Sequence, residues 1–228
     1  MEGLKGKIRF VRRGFQTIHQ YGVLKAILLA LFEFFYEMKF RSGTSDMVSL
    51  DEMDIEEHLK QHGNIYLPCP YYFAYRAFKQ LDMDGRESVF VDFGSGLGRM
   101  IFFASQFPFR KIIGVEVSDV LCAKASKNLT KYYHRLEKQT PEWQIVHADA
   151  ARFPIPRDAN ILYFNDPFDA EILEPVVQNI LRSARESERR IFIVYVNPGH
   201  PDVFLKHRFG VLRSEVNRHG KGYMIFCR

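Results

Sequence analysis

The chain has 228 residues, 46% hydrophobic and 26% charged, which suits one generous globular domain plus an attachment. An aromatic content of 14% excludes a disordered chain, and 15 Gly and 10 Pro without a fixed-period repeat exclude collagen-like, low-complexity and solenoid architectures. The net charge of +5 is confined to residues 1–41, where eight Lys/Arg face three acids, so the remainder sums to zero and offers no extended phosphate-binding face.

In chain order, the first expected helix places Ile8, Val11, Phe15 and Ile18 on one face and Lys5, Arg9, Arg12 and Arg13 largely on the other. After Gly22 a second helix runs to about Phe40, largely apolar, with Lys25, Glu33 and Glu37 forming a narrow charged stripe. Its longest uncharged run, Ala26–Phe32, is far below the roughly 20 residues of a bilayer span, and no small-residue cleavage site follows. Neither a membrane span nor a signal peptide is therefore expected. Arg41–Ser45 reads as a turn, residues 48–59 as a connector, and Pro68 and Pro70 as the entry to a helix ending near Leu81. The three cysteines, Cys69, Cys122 and Cys227, form no CxxC pair, which predicts neither a zinc site nor a disulfide and fits a reducing, cytoplasmic compartment.

From Ser88 the pattern alternates. Val89–Asp92, Ile112–Val115, Trp143–His147, Asn160–Phe164 and Arg190–Asn197 read as buried strands, with helices over about 97–106, 118–137 and 169–185. Phe209–Val216 and Tyr223–Cys227, joined by a short Gly-containing turn, form an antiparallel hairpin. The fold class is α/β, a three-layer sandwich with a mostly parallel sheet ending in that hairpin and with ligands at the carboxyl ends of the strands.

The most specific motif is Asp92-Phe93-Gly94-Ser95-Gly96-Leu97-Gly98-Arg99, where the first strand gives way to a helix. A dinucleotide loop needs its third glycine at position 99, which is Arg99, and no Lys-Ser/Thr pair follows for a phosphate cradle. Glu116 ends the second strand and Asp149 follows the third. Taken singly, Asp92 could cap a helix, Glu116 could be a solvated strand end and Asp149 an N-cap.

In order and in register, these residues resemble the motifs of class I S-adenosylmethionine-dependent methyltransferases, over roughly residues 64–228. The resemblance implies a Rossmann-like, seven-stranded sheet and S-adenosylmethionine as cofactor. It implies Asp92 near the methionine ammonium, Gly94, Gly96 and Gly98 in the loop, Glu116 on the ribose hydroxyls and Asp149 at the adenine amino group. The segment Asn64–Tyr71 is similar to the Tyr-x-Pro-Thr-Pro-Tyr entry of a group of bacterial methyltransferases of uncertain substrate, with Cys69 in place of Thr, and it suggests Tyr66 as a cofactor wall. Asn165-Asp166-Pro167-Phe168 resembles the Asp/Asn-Pro-Pro-aromatic motif of amino-group methyltransferases, with one proline missing. The seven-strand histone-lysine methyltransferases share this plan more distantly. Asp166, Asn165 and Phe168 are thereby the candidate catalytic residues, although Asp166 as N-cap with Pro167 at the first helical position is also a good helix start.

The expected organisation is an N-terminal helical extension, residues 1–63, and a methyltransferase domain, residues 64–228. The expected function is methylation of an amino or amide nitrogen, on protein rather than nucleic acid. The alternatives are a nucleic-acid or small-molecule methyltransferase, and an inactive cofactor-fold module that binds a partner or a membrane surface through residues 1–41. His147, His200 and His207 lack metal-ligand spacing, and Asn197–Pro201 reads as a plain loop.

Overall fold

A computed structural model describes residues 16–45, 48–49, 53–56, 67–81, 85–134 and 142–228. Most of the first expected helix, and Tyr66, lie outside the described residues. Residues 16–21 are helical. The elements that follow are α1 (Val23–Phe40), α2 (Tyr71–Phe78), β1 (Val89–Phe93), α3 (Arg99–Ala104), β2 (Lys111–Glu116), α4 (Asp119–Tyr133) and β3 (Glu142–His147). After them come β4 (Ala159–Phe164), α5 (Ala170–Glu186), β5 (Phe192–Val196), α6 (Pro201–Lys206), β6 (Gly210–Val216) and β7 (Gly222–Cys227).

The seven strands form one sheet in the order β3-β2-β1-β4-β5-β7-β6. Strands β1 to β5 pair in parallel, and β7 runs antiparallel to both β5 and β6. The chain reverses at β1, since β2 lies on one side of it and β4 on the other. That switch point opens a crevice at the carboxyl ends of the strands, where such sheets take ligands. Central strands β1 and β5 are fully buried, as their unbroken apolar runs predict. Edge strand β3, expected to be buried, instead alternates between exposed and half-buried positions because no strand covers its outer side. Residues 197–200 form the expected loop, and the short helix α6, not expected from the sequence, follows it with Pro201 at its first position.

Two apolar layers enclose the sheet. On one face Phe73, Phe78, Phe90, Phe102, Phe103 and Tyr163 form an aromatic layer. On the other, α5 brings Leu173, Val176, Val177 and Ile180 against Val91, Leu162 and Ile193. Helix α1 joins the aromatic layer. Tyr36 lies 4.9 Å from Tyr71 and 5.2 Å from Phe103, ring centre to ring centre, and Phe32 meets Tyr72 edge-on at 5.2 Å.

Arg99, the residue that breaks the dinucleotide pattern, fastens α1 to the glycine loop. Its guanidinium is only 2% exposed, stacks 3.9 Å above the Tyr71 ring and donates to Glu37 at 2.8 Å and to the Cys69 carbonyl at 2.9 Å. Glu33 supplies a second ion pair. Burial pulls the Arg99 pKa down to about 9, which leaves it a cation at neutral pH beside the two carboxylates. Replacing both Glu33 and Glu37 by Gln would leave a buried cation without counter-charge. The expected cost is about 2–3 kcal/mol, less than for a fully buried pair because both carboxylates retain contact with water. Urea unfolding at pH 7 measures it, and an unchanged midpoint would show the pairs to be inert.

Candidate functional site

One cavity of about 1000 Å³, its open mouth included, lies at the carboxyl ends of β1, β2 and β4. Asp92, Gly94 and Ser95 enter it from β1 and its loop, Glu116 from β2, Asp149 from the loop after β3, and Asn165, Asp166 and Phe168 from the loop after β4. The structure thus brings seven of the ten sequence-predicted residues onto one cavity. Gly96 and Gly98 belong to the same loop but do not line the cavity.

The loop's conformation follows from its glycines. Gly94, Gly96 and Gly98 all have positive φ, at 74°, 52° and 80°. Gly94 also clears a neighbour: a Cβ there would come within 2.5 Å of Pro167, so its lack of a side chain lets the loop after β4 close against the glycine loop. A Cβ on Gly98 would press at 3.3 Å on Leu129 of α4.

The backbone N–H groups of this loop are already engaged. Gly94 and Ser95 donate to the Val115 carbonyl at 2.9 and 3.0 Å, Gly98 donates to the Ser95 carbonyl at 2.9 Å, and Gly96 donates to the Glu116 carboxylate at 2.8 Å. A phosphate cradle works by aiming such donors at an anion. Here they turn into the protein, and two buried carboxylates face the cavity instead. Asp92 is 3% exposed and its carboxyl is pushed well above the usual carboxylate range, first by burial and then by the charge of Glu116. Burial also raises Glu116, opposed by the N–H groups of Ser118, Gly96 and Val117. No Lys or Arg among the described residues pairs with either acid. The site therefore offers phosphate no cation and no free loop donor, and a ligand with positive charge and hydroxyl donors would stabilise the two acids as carboxylates. A buried Ser95 hydroxyl without a protein partner adds a polar group at the same wall.

Asp149 accepts from the Ala151 N–H at 2.9 Å and lies 3.7 Å from Arg152, so it caps a local turn at the cavity's edge. Asp166 is not a helix cap. Asp169 takes that role, accepting from Glu171 and Ile172 N–H, and α5 begins after it. Asp166 adopts φ of 45°, and its carboxylate accepts from the Tyr195 hydroxyl at 2.7 Å and the Gly199 N–H at 3.1 Å. Asn165 donates to the Leu67 carbonyl at 3.0 Å and accepts from Asn197 at 3.3 Å. Phe168 is buried and packs edge-on against Phe164.

Sequence reasoning missed several participants. Cys69 and Tyr163 both line the cavity and share a 2.8 Å hydrogen bond, and burial pushes the Cys69 thiol up to about 12, so it stays neutral. Met53 and Ile55 of the connector form another wall, held by Asp54, which accepts from the Ser118 hydroxyl at 2.6 Å and the Val120 N–H at 3.1 Å. Tyr195 gave no signal because a tyrosine in a β-strand ordinarily packs.

Sheet order, glycine loop and paired strand-end acids define a class I, S-adenosylmethionine-dependent methyltransferase. The model of the histone methylation protein DOT1 family matches residues 46–191, and the chain belongs to that family. Among solved structures it is similar to an S-adenosylmethionine-dependent methyltransferase from Aquifex aeolicus, at 9% identity and TM-score 0.52, covering 67% of this chain and 88% of that one. It is also similar to an RNA methyltransferase from Salinibacter ruber bound to S-adenosylhomocysteine, at 19% identity and TM-score 0.51, covering 71% and 92%. At these identities the likeness concerns the fold. No curated protein gives a significant match.

The raised carboxyls have a measurable consequence. A carboxyl whose folded pKa exceeds its unfolded value binds more protons when folded, so stability falls as pH rises above the ordinary range of about 4 through the folded value. The ligand-free protein should lose thermal stability as pH rises above about 4. Asp92→Asn should flatten that decline, raise the melting temperature at pH 8 and weaken S-adenosylmethionine binding by about 1.5–3 kcal/mol. Calorimetry at pH 5 and pH 8 tests this, and an unchanged pH slope in Asp92→Asn would refute the account.

Proposed function

We propose that this methyltransferase acts on an amino or amide nitrogen of a protein. The carrying observation is the Asp166 carboxylate, set at the cavity by Tyr195 and Gly199 and directly followed by Pro167 and Phe168. Membership of a histone methylation family supports a protein acceptor, and the neutral balance of residues 42–228 counts against an extended nucleic-acid surface.

In this reading Asp92 meets the cofactor's ammonium, Glu116 accepts from the ribose hydroxyls while bracing Gly96, and Asp149 accepts from the adenine amino group through the oxygen its turn leaves over. Gly94, Gly96 and Gly98 shape the loop. The cofactor supplies an electrophilic methyl carbon on a sulfonium. Asp166 and the Asn165 side chain accept N–H bonds from the acceptor and aim its lone pair at that carbon, so alignment carries much of the rate. Phe168 excludes water beside the nitrogen. The neutral Cys69 thiol does not compete as nucleophile. Residues 1–63 extend the domain and, through Met53 and Ile55, help cover the cavity.

Methyl transfer from labelled S-adenosylmethionine into protein, nucleic-acid and lipid fractions of a lysate tests the acceptor class, and label in protein is expected. Asp166→Ala should lower turnover by about 100-fold with cofactor affinity nearly unchanged, while Asp166→Asn retains much more activity because an amide oxygen still accepts. A lysine acceptor, with an ordinary pKa of about 10.4, must lose its proton first, so the rate should climb with pH above neutrality. A flat profile would point to an amide acceptor. Label confined to nucleic acid would overturn the proposal.

A further inference from the structure

Helix α1 has two apolar sides, and only one is buried. Leu29, Phe32, Tyr36 and Phe40 face the aromatic layer. On the opposite side Leu24, Ile27, Leu31, Phe34, Phe35 and Met38 are each between 52% and 84% exposed. At about 100° per residue those six fall within an arc of roughly 100°, spread along about 21 Å of helix. No charged residue of α1 lies in that arc. Glu33 and Glu37 turn inward to Arg99, and Lys39 lies beside the arc. A patch of this kind on a surface helix marks a docking face.

We propose that this face docks on an anionic membrane surface, with α1 lying in the plane of the interface. This goes beyond the methyl-transfer reading and does not depend on it. The occupant follows from charge. Residues 1–41 carry +5 in sequence while the rest of the chain sums to zero, and around the apolar face itself the charges not tied up with Arg99 are basic: Lys25, Lys39 and Arg41. The basic hairpin turn adds to them. The His219 ring lies 5.7 Å from that of His19, and Asn217 donates to the Gln20 carbonyl at 2.9 Å, which brings Arg218 and Lys221 beside the approach to α1. Basic side chains at the rim of an apolar helix face suit an anionic leaflet, which takes the apolar arc among its acyl chains and the cations at its headgroups. No described helix is long and apolar enough to cross a membrane, which suits a helix that lies on the surface. Because Arg99 ties α1 to the residue after Gly98, the docking helix and the cofactor loop are mechanically joined.

The test is co-sedimentation of the full chain with vesicles of neutral phosphatidylcholine, with and without 30% phosphatidylglycerol. Binding to the anionic vesicles is expected, weaker by about tenfold or more on going from 50 to 500 mM salt. The double substitution Leu31→Glu with Phe34→Glu should reduce it by about 100-fold, since two large side chains leave the interface. Its melting temperature and S-adenosylmethionine affinity should match the parent because neither residue touches the core. Should that variant fail to fold, Phe34→Trp serves instead, and its emission should shift to the blue on anionic vesicles. Absence of binding, equal binding to neutral vesicles, an unshifted Phe34→Trp emission, or a dimer split by the double substitution would each overturn the proposal.

Discussion

Two carboxylates at neighbouring strand ends, Asp92 and Glu116, share a buried cavity without a Lys or Arg partner among the described residues. Keeping unpaired acids out of water is costly, and a fold tolerates it where a ligand compensates. That constraint explains the glycine loop. Its N–H groups could have served an anion, but they are turned onto Val115, Ser95 and Glu116 itself, so the loop presents carboxylates instead of donors. In the proposed reading a cationic sulfonium ligand with a ribose diol and a free ammonium would satisfy both acids.

The second half of the site depends on the first through close contact. Gly94 gives Pro167 room, and Pro167 follows Asp166, whose positive φ is stabilised by bonds from Tyr195 and Gly199. Asn197, after β5, also has a positive φ, 50°, and bonds to Asn165. The loops after β4 and β5 thus brace one another beside the glycine loop, and strain sits in both at the mouth of the cavity. The fold holds this from beneath with a layer of aromatic rings, to which Arg99 fastens the N-terminal helix.

Strand positions were legible because short, unbroken apolar runs between turn signals have few alternatives. So was the cofactor loop, whose glycine spacing is local chemistry. What escaped detection is long-range. Nothing near Arg99 shows that Glu33 and Glu37, more than sixty positions earlier, will bury it. Tyr195 lies in β5 and Asp166 in the loop after β4, and only sheet order places them together. Asp166, followed by a proline, reads as the helix cap, and backbone geometry assigns the cap to Asp169 instead. The apolar stripe of α1 was legible, with membrane contact and core packing both open, but a stripe in sequence does not reveal which of its sides the core will claim.

The central claim is that this cavity selects a positively charged sulfur nucleoside and rejects phosphate. Isothermal titration of the full chain with S-adenosylmethionine, S-adenosylhomocysteine and NAD at pH 7 tests it most directly. The account predicts saturable one-to-one binding of both sulfur nucleosides and none of NAD. Binding of NAD, or failure of folded protein to bind either sulfur nucleoside, would contradict it.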